Sequence, residues 1–457
     1  MAFESPTLAF ATAIETAAQN YTDYERQSGL MNFIDGLAAA YAGYRRPEMK
    51  KLLGSPIVDL AVTHPAWLIG SQLRCRPADA VLLNAMAGHL DDFDDDEAIV
   101  SIAHVTVPTM AAVLAAAASL DVSGSVILNG YLAGVETMVA LGELLNPKHY
   151  ALGWHASATL GVFGAAMAAA HVFGLTAEEK ATALAFAVTA SSGTRSAFGS
   201  SAKPWQVAAA ARNGFNAVLL ARAGLDANAS LFGPMGLAEL YGGEPGRIDA
   251  AIARLGRSSP FINPGVTIKA YPCCTAAHTA MEACELIRTR IGNLPWRDIA
   301  SVTVDVGRTI PSILAHDRPQ TALEGKFSMQ FCAAIALCLP SAGLEAFTDD
   351  QLADPAICHV MERVEMRGLP EQEDPFLCKV TVTLTNGKLM TQIVDRPKGS
   401  PERPFKRDDM QRKFLTLCDG ARGEEAFEHL YRLPSAGSWH AFERQLTTLW
   451  GEDFAGA

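Results

Sequence analysis

The chain is poor in the features that mark several protein classes. Its nine cysteines are odd in number, share no repeated spacing and include no C-x2-C pair. That excludes a disulfide framework and a zinc ribbon and argues against an iron–sulfur cluster. Positive charge is scarce: 37 basic against 49 acidic residues give a formal charge of −12, which the phosphates of a nucleic acid would oppose. A small anionic substrate is not excluded, because a few local cations outweigh distant, screened charges. The first residues, MAFESPTLAFATAIETAAQ, carry Glu4 and Glu15 and no basic leader, unlike a signal peptide. Apolar runs such as AAVLAAAASL and GVFGAAMAAAHVFGL are short and alanine-rich, below what a membrane span demands. These absences set the expectation of a cytoplasmic protein with reduced thiols, partnered by neither nucleic acid nor membrane.

What is present is a folded chain of 457 residues, 49% hydrophobic and 19% charged, long enough for two or three domains. From about Thr7 to Arg222 alanine, leucine and glutamate recur at helical spacing, punctuated by glycine and proline. Pro77 suits the first turn of one helix, and Thr176 with Glu179 forms a capping box at the start of another. Small residues at Gly161, Gly164, Ala165 and Ala168 would let helices pack closely. Beyond about Pro260 the period changes. Val302, Val304 and Val306, and then Val380, Val382 and Leu384, alternate as half-buried strands. Asn386-Gly387 suits a type I′ hairpin with both residues at positive φ. Helices are expected at 275–291 and 327–339. The chain therefore reads as mainly α, with a large helical domain over 1–262 and a smaller α+β domain over 263–399.

The stretch Asn84 to Thr109 is the anomaly. It sets Asp91, Asp92, Asp94, Asp95, Asp96 and Glu97 between apolar, alanine-rich segments, where like charges repel and burial raises their pKa values. Water, a metal or a cationic site must offset that cost. Asp91-Asp92-Phe93-Asp94-Asp95 satisfies D-D-x-x-D, the Mg²⁺-diphosphate pattern of terpene synthases. That reading needs a second metal motif and an aromatic cavity, whereas the second motif is missing and aromatics make up only 8% of the chain; no metal is expected. Asp94, Asp95 and Glu97 are expected to face water. Asp92 differs, because His89, Asp92 and Asp96 at i, i+3 and i+7 would share an inward face if the helix continues, making a proton-handling group.

Four cations or proton donors lie in small-residue settings: His104 in IAHVTVP, His155 in ALGWHASA, Lys203 in GSSAKPWQ and Lys269 in TIKAYPCC. Taken singly, a histidine in an apolar run is ordinarily a satisfied core residue, and a loop lysine is ordinarily solvated. Their joint presence beside buried acid is what points to a site.

These residues lie in blocks that resemble a family. HLDDFDD, HYALGWHASATLGVFGAAMAAA, SAKPWQVAAAARNG, IKAYPCCTAAH and KFSMQF, in this order, are similar to the MmgE/PrpD family, which includes 2-methylcitrate dehydratase, cis-aconitate decarboxylase and iminodisuccinate epimerase. The resemblance covers nearly the whole chain. It implies a helical domain completed by residues 400–457, an α+β lid, a homodimer, and neither metal nor organic cofactor. Carried over by position, Asp92, His155, Lys203, Lys269 and His104 match family site residues. Three departures stand out. Asp96 replaces a threonine usual in the decarboxylase and dehydratase members, His104-Val105-Thr106 replaces H-P-S, and Phe331 replaces a tyrosine.

Such a set handles a proton or carboxylate on a carbon beside a carboxylate, where lysines and histidines stabilise the charge that builds. Lys203, Lys269 and His104 are expected to grip a small di- or tricarboxylate, with Asp96 in the same binding group. Asp92, His155 and Tyr150 are expected to move protons. Burial beside like charges would also let Lys203 act as a base. Dehydration of a citrate-like hydroxy acid leads, followed by epimerisation and then decarboxylation. A non-catalytic binding or scaffold protein is the reading from a different class.

Overall fold

The computed structural model describes residues 6–450, apart from 62, 229, 233, 244–246, 258, 293–294 and 419–421. Helices dominate, and a small mixed sheet is confined to the C-terminal half. Two capping boxes start helices as their sequences direct, Thr22 with Glu25 for Asp23–Gly43 and Thr176 with Glu179 for Ala177–Val188. Pro77 opens the helix Pro77–Leu90. Glycine decides how closely helices approach. A Cβ at Gly43 would lie 1.9 Å from the Ala87 carbonyl oxygen, so Asp23–Gly43 and Pro77–Leu90 touch backbone to backbone. A Cβ at Gly134 would lie 2.7 Å from the Gly164 carbonyl oxygen, which brings the Gly124–Leu145 and Gly161–Val172 helices equally close. Gly124–Leu145 is long and apolar enough to cross a membrane, but 83% of its apolar window is buried inside the fold. Here it is a core helix.

The hydrophobic core comes in two clusters. The first runs from Phe10 to Ile268 and is joined by the returning helices Arg407–Leu417, Gly423–Leu430 and Trp439–Trp450; Trp450 stacks on Tyr41 with ring centroids 4.7 Å apart. It also takes in a short antiparallel pair, Ala66–Trp67 with Arg74–Cys75. The second cluster runs from Tyr271 to Val394. Its sheet has the order Val364–Leu369, Ile299–Gly307, Cys378–Leu384, Leu389–Val394; the first pair is parallel and the others antiparallel. Val302, Val304, Val306, Val380 and Val382 point into this cluster beside the helices His278–Ile291 and Met329–Cys338. The hairpin differs from the expected one. Only Gly387 has positive φ, at 81°. Three residues separate Leu384 from Lys388, whose carbonyl accepts from the Leu384 amide at 2.9 Å, and a loop of that length needs one left-handed residue, not two.

Candidate active site

The acidic segment is a loop, not a continued helix. The Pro77–Leu90 helix stops with Asp91 as its cap, and Asp92 takes the left-handed conformation, φ 52°. The expected shared face of His89, Asp92 and Asp96 is therefore not formed by helix periodicity. The loop itself turns Asp92 inward, and Asp96 is pinned separately by paired backbone bonds with Thr267, at 3.1 and 2.8 Å. Asp94, Asp95 and Glu97 do not face water either, being 0% exposed. Each has a partner that makes its burial tolerable. Glu97 accepts from the amides of Ile99, Val100 and Ser101 and from the Ser101 hydroxyl. Asp95 accepts from the Thr106 hydroxyl at 2.6 Å, and burial pushes its carboxyl well above the usual range. Asp94 lies 2.9 Å from His89 Nδ1 and 3.1 Å from His104 Nδ1.

These placements dispose of the diphosphate pattern. Asp91 pairs with Arg46 at 2.6 Å and faces Lys326, Asp92 faces lysines, and Asp95 faces Thr106, so the three carboxylates do not converge on one ion. His89, Asp92, Asp94 and His104 do bring ligand atoms within 4.8 Å of one another. However, the Lys203 ammonium touches His89 Nε2 at 2.9 Å and Asp92 Oδ1 at 2.7 Å, and Lys269 lies 3.2 Å from the same Asp92 oxygen. A dication there would share its ligands with two ammonium groups, and Coulomb repulsion opposes it.

A cavity enclosing about 670 Å³, including its open mouth, is lined by Asp92, Asp96, His104, Tyr150, His155, Lys203 and Lys269. All seven residues singled out in the sequence therefore meet in one place. Lys203 stands in the first turn of Ala202–Arg222, His155 caps Ala156–Thr159, and Tyr150 sits on Lys148–Ala151. Lys269 comes from the loop between the two cores and donates to the Asp92 carbonyl at 3.0 Å. Burial pushes the Asp92 carboxyl up, but Lys203 and Lys269 more than offset this and hold it far below the usual range. Burial pulls Lys269 down, and Asp92 and Asp96 overcome it, leaving the ammonium firmly charged. Burial takes His104 down to about 3 against the pull of Asp94. Burial, reinforced by Lys203, takes His155 well below its usual value, so its ring is neutral near pH 7. Tyr150 is pushed up by burial and stays a phenol. Asp96 is different: burial, opposed by Lys269 and the Thr275 hydroxyl at 2.7 Å, sets it at about 6.

The hydrogen bonds also assign the His155 tautomer. Gln206 Oε1 must accept from the Thr194 amide, at 2.9 Å, so its Nε2 is the atom that donates to His155 Nδ1, at 2.6 Å. The neutral ring therefore carries its proton on Nε2.

Residues 11–246 match the MmgE/PrpD N-terminal domain and residues 271–432 match the MmgE/PrpD C-terminal domain. The chain belongs to the MmgE/PrpD family. Relatives include the cis-aconitate decarboxylase of Aspergillus terreus, 26% identical over 87% of this chain and 86% of that one. The human cis-aconitate decarboxylase is 25% identical over 95% and 92%, and the mouse protein 24% over 91% and 87%.

Of the three departures that the resemblance suggests, one lies in the cavity. Phe331 is buried in the second core against Phe347, and Thr106 binds Asp95 and Tyr131; neither lines the cavity. Asp96 does. The sequence reading missed Gln206, although it follows Lys203 by three residues, one helical turn. It missed Asp94 by assigning it to solvent. It also missed Lys326, which donates to the Asp91 and Pro272 carbonyls at 2.7 and 2.9 Å, and Lys413, which donates to the Phe93 carbonyl. Nothing in the local pattern around Lys413 marks it.

Proposed function

We propose that this protein is a lyase for a small carboxylic acid and that it removes water from a hydroxy acid through a carbanion formed beside a carboxylate. One observation carries the reading: two lysines converge on Asp92 at the base of a cavity that also holds Asp96, the lining carboxyl with a pKa near neutral. Lys203 donates to His89 and Asp92, and Lys269 donates to the Asp92 carbonyl and lies 3.2 Å from its carboxylate, so both ammonium groups keep N–H capacity for a substrate carboxylate. His155 donates from Nε2 to the oxygen that gains charge. Asp96, matched to the operating pH, takes the carbon-bound proton, and the Tyr150 phenol protonates the departing hydroxide. Asp96 thus becomes a proton-transfer group, beyond the binding role expected from the sequence. Decarboxylation is the second reading, favoured by the names of the relatives; carbon dioxide then leaves and the same acids protonate the carbanion.

Proton NMR in D₂O over a panel of small hydroxy and unsaturated polycarboxylic acids tests this. New vinyl signals without carbon dioxide release support dehydration, and carbon dioxide release supports the second reading. Deuterium wash-in with no new product would replace both with an epimerase, and no reaction with any acid would leave a binding protein.

Outcomes for three variants are expected. With Asp96 acting as a base, kcat/KM rises as pH climbs through about 6 and levels off above. Asp96→Asn removes that limb and lowers the plateau by about 10²-fold; a pH profile unchanged in the variant refutes the role. His155→Leu lowers kcat by about 10²-fold, the scale for one lost transition-state donor. Gln206→Leu, which frees the tautomer, gives a smaller loss with a shifted pH profile.

A further inference from the structure

We infer that the acid taken by this site carries an apolar substituent several carbons long, which lies in a vestibule between the charged cavity and solvent. The inference rests on the reading of the cavity as a carboxylic-acid site and concerns which acid fits it.

The cavity's charged groups are confined to its inner end. Ile102, Ile310, Ile313, Phe198, Phe327 and Phe376 make much of the remaining wall, and these six side chains offer a carboxylate no donor. Both lysine ammonium groups sit on Asp92, so the donors for substrate carboxylates are gathered around that residue. The apolar walls do not end at the mouth. A second, larger space of about 1730 Å³ adjoins the first and shares Ala98, Ile102, Tyr150, Phe198, Ile313 and Pro375 with it. Its lining also carries Arg195, Ser196, Thr309, Ser312 and His316, with the Arg195 guanidinium donating to the Tyr150 and Ser312 carbonyls. Its rim includes Ile99, 57% exposed, so the path from solvent to Asp92 is a channel that is mainly, not wholly, apolar.

One wall of that channel is held at a conformational cost. Ile102 is β-branched yet sits at φ 51°, a strained position for such a residue. The loop carrying it is closed by paired backbone bonds between Glu97 and Ala103, at 2.9 and 3.0 Å. The buried Glu97 carboxylate gathers its amides, and Asn146 donates to the Ser101 carbonyl at 2.6 Å. Four anchors thus hold Ile102 against both spaces. Ile313 closes the opposite wall from the α+β unit. A methyl group would not reach the vestibule rim, whereas a longer chain or an aryl group would be desolvated along its length.

Isothermal titration calorimetry of the full chain with succinate and its methyl, butyl and hexyl derivatives reads the inference directly. Affinity is expected to rise up to about fourfold per added methylene, with an increasingly negative heat-capacity change. Ile99→Asp and Ile313→Asp are expected to flatten the series, read as the ratio of hexyl to unsubstituted affinity. Affinity that stays flat or falls with chain length overturns the inference, as does an undiminished ratio in both variants or no binding by any member. A second copy covering the vestibule would produce the falling series and would show as dimer by sedimentation. The lyase reading fails separately, if no acid of the NMR panel reacts while the alkyl series still binds.

Discussion

Lys203→Ala is expected to lower kcat/KM by about 10³-fold for whichever acid the protein turns over. The ammonium sits within hydrogen-bond reach of both Asp92 and His89, in a site where water does not screen it, so its loss removes full-strength stabilisation of the charge that develops on the substrate. The fold should persist, because Asp92 keeps Lys269 at 3.2 Å and His104 at 3.3 Å. Circular dichroism and thermal unfolding check that, and steady-state rates check the loss. Near-wild-type turnover in a folded variant would remove Lys203 from the chemistry.

The second large effect is on stability. Lys413, from the returning Arg407–Leu417 helix, lies 2.7 Å from Asp35 and donates to the Phe93 carbonyl at 2.9 Å. It ties three parts of the chain together: residue 35, the acidic loop and the C-terminal tail. Both charges are buried. Burial raises the Asp35 carboxyl to about 6 against the pull of Lys413, and burial lowers Lys413 against the pull of Asp35. Lys413→Met leaves Asp35 without its partner and is expected to destabilise the protein by about 3–5 kcal/mol, a large part of a typical total. Asp35→Leu combined with Lys413→Met should recover most of this, since removing both charges leaves none uncompensated. The sign with pH follows from the raised carboxyl pKa. Below about 6 Asp35 takes up a proton and no longer needs the ammonium, so the single variant loses less at pH 5 than at pH 8. Denaturant titration of the four-member cycle at both pH values reads the coupling, and strictly additive losses would contradict it.

The contrast between Lys203 and Lys413 shows how much of the site was legible. Lys203 stands in a small-residue block before a proline, and the resemblance to a family picked it out. Lys413 lies on an amphipathic surface helix and looks like an ordinary solvated lysine. The same limit misread Asp94 and Glu97. Carboxylates beside other carboxylates read as solvent-facing because no local pattern records that His89 and His104 fold onto Asp94 from either side, or that three amides fold over Glu97. Asp92 does line the cavity, but not by the helical spacing read from the sequence, since the helix ends before it. The strands were legible because their alternation is local, while the hairpin geometry was not, because it depends on which residues happen to pair.

Periodicity, capping and composition act within about one turn or one pair of strands. The amino-acid sequence by itself therefore determined a mainly helical chain with a small alternating sheet, and it supplied the short set of lysines, histidines and aspartates that meet in the cavity. Charge state, tautomer and the mainly apolar channel were decided only by the tertiary structure. Desolvation and Coulomb interactions depend on distances of a few ångströms between groups more than a hundred residues apart, such as Asp92 and Lys203, and no local pattern encodes those distances.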